Sequence, residues 1–164
     1  MQYLDELPNQ PIAREPIAPG LPFEVAWGSV IGCDHQRLGK NNQDAAWVSQ
    51  SDRLLVAVVC DGCGSVAHSE VGASLGARWV AQAIVDRLAQ MIDPIDPADL
   101  NQPAFWSAVT ASVLAALDRL VRSLGGDPVA TVRDYGLFTS LAIATSAKSN
   151  SLKFTRDLSP FLSP

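Results

Sequence analysis

The sequence predicts an α+β domain, and three observations carry that expectation. A β-branched apolar run, Leu54–Cys60 (LLVAVVC), comes first, and two long helical patterns at 69–91 and 103–124 follow it. An alternating segment, Tyr135–Thr145, comes after both helices, so strands and helices do not alternate one by one as in a parallel α/β sheet. At 164 residues, 48% of them hydrophobic and 18% charged, the chain suits a single globular unit with its own core.

Each element has a local justification. Residues 1–24 hold Pro8, Pro11, Pro16, Pro19 and Pro22, which remove backbone donors and favour extended chain; they are expected to form an arm or linker. The body runs over 25–147, with short strands expected at Val25–Ile31 and Ala45–Ser49. Leu54–Cys60, bounded by Ser51-Asp52-Arg53 and Asp61-Gly62, has the continuous apolar pattern of a strand buried on both faces. In the first helix Val71, Leu75 and Trp79 are spaced one turn apart, and Val80, Ala83, Ile84 and Leu88 extend the stripe. Asp93–Pro97 (DPIDP) interrupts it as a loop.

The second helix opens on Pro103, carries Trp106, Val109, Val113, Leu117, Leu120 and Leu124 on one face, and stops at Gly125-Gly126. Residues 148–164 form a polar tail without a defensible period. The aromatic and leucine positions of both helices are expected to be core.

Composition narrows the function classes. Twelve Lys and Arg against seventeen Asp and Glu give a net charge of −5, a field that repels phosphate backbones, so no nucleic-acid partner is expected. The longest unbroken apolar run is Leu54–Cys60, far short of the ~20 residues of a membrane helix, and no membrane partner is expected either. The opening MQYLDELPNQ lacks a basic region and does not resemble a secretory signal. Three cysteines cannot close a disulfide framework and suit a reducing, cytoplasmic setting.

The chemistry-bearing residues concentrate in Gly32–Asp44 (GCDHQRLGKNNQD) and Asp61–Glu70 (DGCGSVAHSE). Asp61 ends the most apolar strand, which holds a carboxylate rigidly, and Gly62 and Gly64 beside it allow close approach of backbone to a ligand. Carboxylates with backbone carbonyls and water are the preferred donors of Mg²⁺ and Mn²⁺. A hairpin turn is the simpler meaning of Asp-Gly, but here a helix follows rather than a strand.

Asn42-Gln43-Asp44, the strand Leu54–Cys60, Asp61–Ser65 (DGCGS) and Ser69–Ala73 (SEVGA) resemble the metal-dependent protein phosphatases of type 2C, most nearly a bacterial branch with Gly32 and His35 leading to Gln43-Asp44. The resemblance covers about 25–147. It implies an α-β-β-α four-layer sandwich with two Mn²⁺ or Mg²⁺ ions at one edge of two antiparallel sheets. Carried over, Asp61 bridges both ions, Gly62 offers its carbonyl, and Asp44 acts through a metal-bound water. The implied substrate is phosphoserine or phosphothreonine in a phosphoprotein, with a cognate protein kinase as a possible partner.

This chain departs from the family pattern at four points. Gln43 replaces a common Glu, Cys63 replaces a histidine proposed as general acid, and Gly39 stands where many members have a phosphate-holding Arg. His35 or Arg37 is expected to take over the phosphate, with Lys40 also nearby. Fourthly, none of Asp86, Asp93, Asp96, Asp99, Asp118, Asp127, Asp134 and Asp157 is followed by Gly or Asn, so the family's later metal ligands are not recognisable. Asp157 lies where a strand after Leu137–Thr145 would end. The fold is therefore expected to be truncated, the chain impaired as an enzyme, and the Leu137–Thr145 strand left as an unpaired edge open to self-association.

Two other readings compete. A non-catalytic regulatory or binding module on the same fold would keep Asp61 for structure or one weak metal. A zinc site would draw on Cys33, His35, Cys60, Cys63 and His68.

Overall fold

A computed structural model of the chain describes residues 25–51, 54–91, 98–135, 138–146 and 153–157. The elements run α1 (Cys33–Arg37), β1 (Asp44–Gln50), β2 (Leu54–Gly62), α2 (Ser69–Ala89), a 3₁₀ turn (Asp99–Asn101), α3 (Pro103–Leu124), α4 (Pro128–Tyr135), β3 (Phe138–Ser146) and β4 (Lys153–Asp157). The strands form one antiparallel sheet in the order β1-β2-β3-β4. α2 lies across β1, β2 and β3, and α3 and α4 pack on α2, so the fold is α+β with these three helices stacked on one face of the sheet.

The core sits between that face and α2. Val56, Val58 and Cys60 point toward the helices, and Ala45 and Trp47 join them because Ala45 pairs with Cys60 and Trp47 with Val58. From α2 come Gly72, Ala73, Gly76, Ala77, Val80, Ala81, Ala83, Ile84 and Leu88, all buried. Small residues dominate its first half, where the helix backbone lies close to the sheet. The expected stripe of Val71, Leu75 and Trp79 is accordingly displaced: Val71 is exposed, and the other two are only half-buried. On α3, Phe105, Trp106, Val109 and Val121 are buried and Trp106 donates its indole N–H to the Leu100 carbonyl at 2.6 Å. Leu114 and Leu124 are exposed, so the expected core stripe fails over the second half of α3.

Helix ends follow local chemistry. Pro103 opens α3, and Gly125 closes it in the left-handed conformation at φ 70°. Asp127 accepts from the Val129 and Ala130 N–H groups at 3.3 Å each, starting α4, a helix the sequence reading lacks. Tyr135 therefore ends a helix and does not begin a strand. By length and composition α3 is the one helix among the described residues apolar enough to cross a membrane, although Phe105, Trp106 and Val109 pack on α2.

Three further expectations are corrected. Val25–Ile31 is no strand; it contributes only an isolated bridge at Trp27. Leu54–Cys60 is not buried on both faces: Val59 is 52% exposed, while Val48 and Leu55 make a small second cluster with Val25, Trp27 and Ala57. Nor is the Leu137–Thr145 strand an edge, because β3 pairs with β2 on one side and β4 on the other. The residues read as a polar tail supply β4, and the outer strands are β1 and β4. Alternation in KFTRD is too short to register as a period, but backbone pairing with β3 needs none. The Pro-rich arm, the Asp93–Pro97 loop, Leu137 and most of 148–164 lie outside the described residues.

Candidate metal and phosphate site

β1 and β2 pair so that Asp44 stands opposite Asp61. Their neighbours Ala45 and Cys60 face the helices, so strand alternation directs both carboxylates to the other face of the sheet. Both aspartates are exposed. Asp44 is held above its ordinary carboxyl value of 3.8 by partial loss of water, then by the charge of Asp61 and a hydrogen bond between the two carboxyls, with His35 opposing. A cation would relieve the same repulsion.

Gly62 is sterically required. A Cβ there would lie 2.5 Å from the Gln43 carbonyl oxygen and 2.9 Å from that of Ser69, while the Gly62 N–H donates to the Gln43 carbonyl at 3.1 Å. Closure between the end of β2, residue 43 and the start of α2 thus fixes Asp61 next to Asp44. Gln43 is buried, with its side-chain oxygen against Gly64, so a neutral amide occupies a position where a carboxylate would bury a further charge. Ser69 is fully buried, and among the described residues its hydroxyl has no hydrogen-bond partner.

The cations divide. His35, half-buried on α1, is close enough for its positive form to favour ionised Asp44. Arg37 bonds Asp34 at 3.4 Å, with both side chains largely in solvent. Lys40 reaches the Gly64 carbonyl at 3.5 Å, over the Asp61–Ser65 loop, and lines a cavity of about 440 Å³ with Gln43, Ser65 and Glu70. The sequence placed Lys40 only in the neighbourhood; its contact with the loop depends on the turn closed by Gly39 at φ 63°.

A family model for protein phosphatase 2C matches residues 31–155. The chain belongs to the protein phosphatase 2C family. The matched span contains α1, Asp44, Asp61 and most of β4, passing the boundary expected at 147. No curated protein and no solved structure matched the chain.

Within this phosphatase-family domain the pair Asp44–Asp61 suits one hard divalent cation by donor type. Among the described residues no group of three His, Cys, Asp or Glu gathers into a metal site. That also speaks against zinc: Cys60 is buried on the helix side, Cys33 and Cys63 are exposed, and the His68 ring stacks on Tyr135 at 4.9 Å. Asp157 is the last residue of β4 and pairs with Leu141, which pairs with Val59, two residues before Asp61.

Proposed function

We propose that this domain is a metal-dependent serine/threonine phosphoprotein phosphatase of reduced competence, using Mn²⁺ or Mg²⁺ at Asp61, the Gly62 carbonyl and Asp44. The observation that carries the reading is the opposition of Asp44 and Asp61 on the face of the sheet turned away from α2. A divalent ion supplies, when bound, polarisation of a phosphoryl oxygen and a more acidic water. Asp61, at the rigid end of β2, orients the donor set, and Asp44 offers the second carboxylate. Gly62 allows the β2 end to approach residue 43. His35, beside Asp44, is placed to donate a ring N–H to the phosphate, and Arg37 would join by leaving Asp34.

The four-layer sandwich would place a second sheet on the face bearing Val59, Asp44 and Asp61; the exposure of Val59 supports that placement. Exposed Cys33 and Cys63 suit the reducing cytoplasm. A non-catalytic module that binds a phosphoprotein or a kinase is the second reading, favoured by the two-carboxylate donor set. Turnover of a phosphothreonine peptide with Mn²⁺ tests the proposal. Slow hydrolysis abolished by Asp61→Asn is expected; hydrolysis indifferent to Asp61, or none at any Mn²⁺ concentration, would contradict it, and phosphopeptide binding without hydrolysis would favour the second reading.

A further inference from the structure

The cavity of about 440 Å³ between residues 39–43 and the segment joining β2 to α2 has features that the metal pair does not use. Its volume falls in the usual range of ligand pockets, about 300–1,000 Å³. Lys40, Asn41, Gln43, Gly64, Ser65 and Glu70 line it. Of these Gln43 is the buried one, with 8% of its surface left. Its backbone carbonyl is engaged by the Gly62 N–H, but its side-chain amide has no hydrogen-bond partner among the described residues. Unlike the Ser69 hydroxyl, that amide is not sealed from solvent, and the space it reaches is the cavity it lines.

A polar group buried to this extent ordinarily has a partner. A carboxamide carries a donor and an acceptor side by side, so its full complement offers both as well. The rim adds two opposite charges that, among the described residues, form no ion pair with each other. Lys40 reaches the Gly64 carbonyl at 3.5 Å, and Glu70 accepts from the Asn41 amide at 3.1 Å through one oxygen. A nucleotide also presents a donor–acceptor edge, but it would bring phosphate charge beside Glu70 in a chain of net charge −5. An extended polypeptide fits better. Each extended residue turns its N–H and C=O to the same side, as in an antiparallel pair, and side chains of either sign can answer Lys40 and Glu70.

We propose that this cavity binds an extended stretch of polypeptide, held by the Gln43 amide through the N–H and C=O of one residue, and that the stretch belongs to the phosphoprotein substrate. A glutamate at 43 could accept but not donate when ionised, so the neutral amide is what the arrangement requires. Gln43 precedes Asp44, and Gly64 and Ser65 follow Asp61, so a chain held here passes close to the carboxylate pair. Only the assignment of the polypeptide to a substrate rests on the phosphatase reading.

NMR titration of the full chain without added metal tests it. Gln43→Met identifies the Gln43 side-chain NH₂ signals. The probe is a capped heptapeptide of alanine with a central threonine and one lysine on either side, used with and without phosphate on the threonine. Both forms should shift the Gln43 NH₂ signals, whereas free phosphothreonine and adenosine monophosphate should not. Gln43→Met should weaken binding of both peptides at least about tenfold, with the Trp106 indole signal unchanged as a check on the fold. Gly64→Ala brings a Cβ to 3.3 Å from the Gln43 side-chain oxygen and should also weaken binding. No shift at Gln43, unchanged affinity in both variants, or equal shifts with either small molecule would overturn the proposal. Because neither metal nor turnover enters, a chain that binds both peptides through Gln43 yet hydrolyses nothing would count against the phosphatase reading and support the cavity as a peptide site.

Discussion

Asp44 and Asp61 face each other across the β1–β2 ladder, both on the face of the sheet turned away from α2. That closeness gives Asp44 a pH signature. Asp44 titrates above its ordinary 3.8 because of lost water, the charge of Asp61 and the bond to Asp61, with His35 opposing. A carboxyl raised in the folded state binds more protons there than in the unfolded chain, so its contribution is full below about 3.8 and is lost as pH rises through the raised value. Asp44→Asn should therefore raise the urea midpoint relative to the parent at pH 7 and not at pH values below that window. Solvent exposure keeps the effect small, and divalent ion should reverse it by stabilising the parent alone.

The glycines of the loop should separate by what their missing side chains would meet. Gly62→Ala drives a Cβ to 2.5 Å from one backbone carbonyl and 2.9 Å from another, and should cost about 1–3 kcal/mol by urea denaturation. Gly64→Ala meets only the movable Gln43 amide at 3.3 Å and should cost less. Equal effects would mean that the junction of β2, residue 43 and α2 is looser than described.

Thiol chemistry should discriminate Cys60 from Cys63. Burial pushes the Cys60 thiol up to about 12. The exposed Cys63 thiol is lowered, chiefly by its hydrogen bond with Ser65, whose hydroxyl lies at 3.1 Å. Mass-spectrometric alkylation of the native chain near pH 8 should label Cys63 and leave Cys60 untouched until the chain is unfolded.

Core substitutions should follow the small-residue face of α2 and the first half of α3. Ile84 is fully buried, so Ile84→Ala should cost about 2–5 kcal/mol. Leu124 is 57% exposed, and Leu124→Ala should stay within about 0.5 kcal/mol.

Much of this arrangement is legible in the chain. The runs at 54–60 and 103–124 read directly as β2 and α3, because apolar period and flanking Pro or Gly agree there. The face that α2 buries does not, because Gly72, Ala73, Gly76 and Ala77 carry little hydrophobic weight in a stripe yet permit the closest approach to the sheet. β4 escapes for a related reason: its partner is a backbone ladder on β3, not a side-chain pattern of its own. At the candidate site, the Asp-Gly step after a buried strand marks Asp61, but the pairing of Asp44 with it depends on strand register. The contact of Lys40 with Gly64 depends on a turn, and a chain of one-letter codes displays neither.

The most direct test of the central claim is a Mn²⁺ titration followed by electron paramagnetic resonance, comparing the parent with Asp44→Asn and Asp61→Asn. The parent should bind the ion weakly, Asp61→Asn should abolish binding, and Asp44→Asn should weaken it. Unchanged Mn²⁺ binding in both variants would contradict a metal centre built on the Asp44–Asp61 pair.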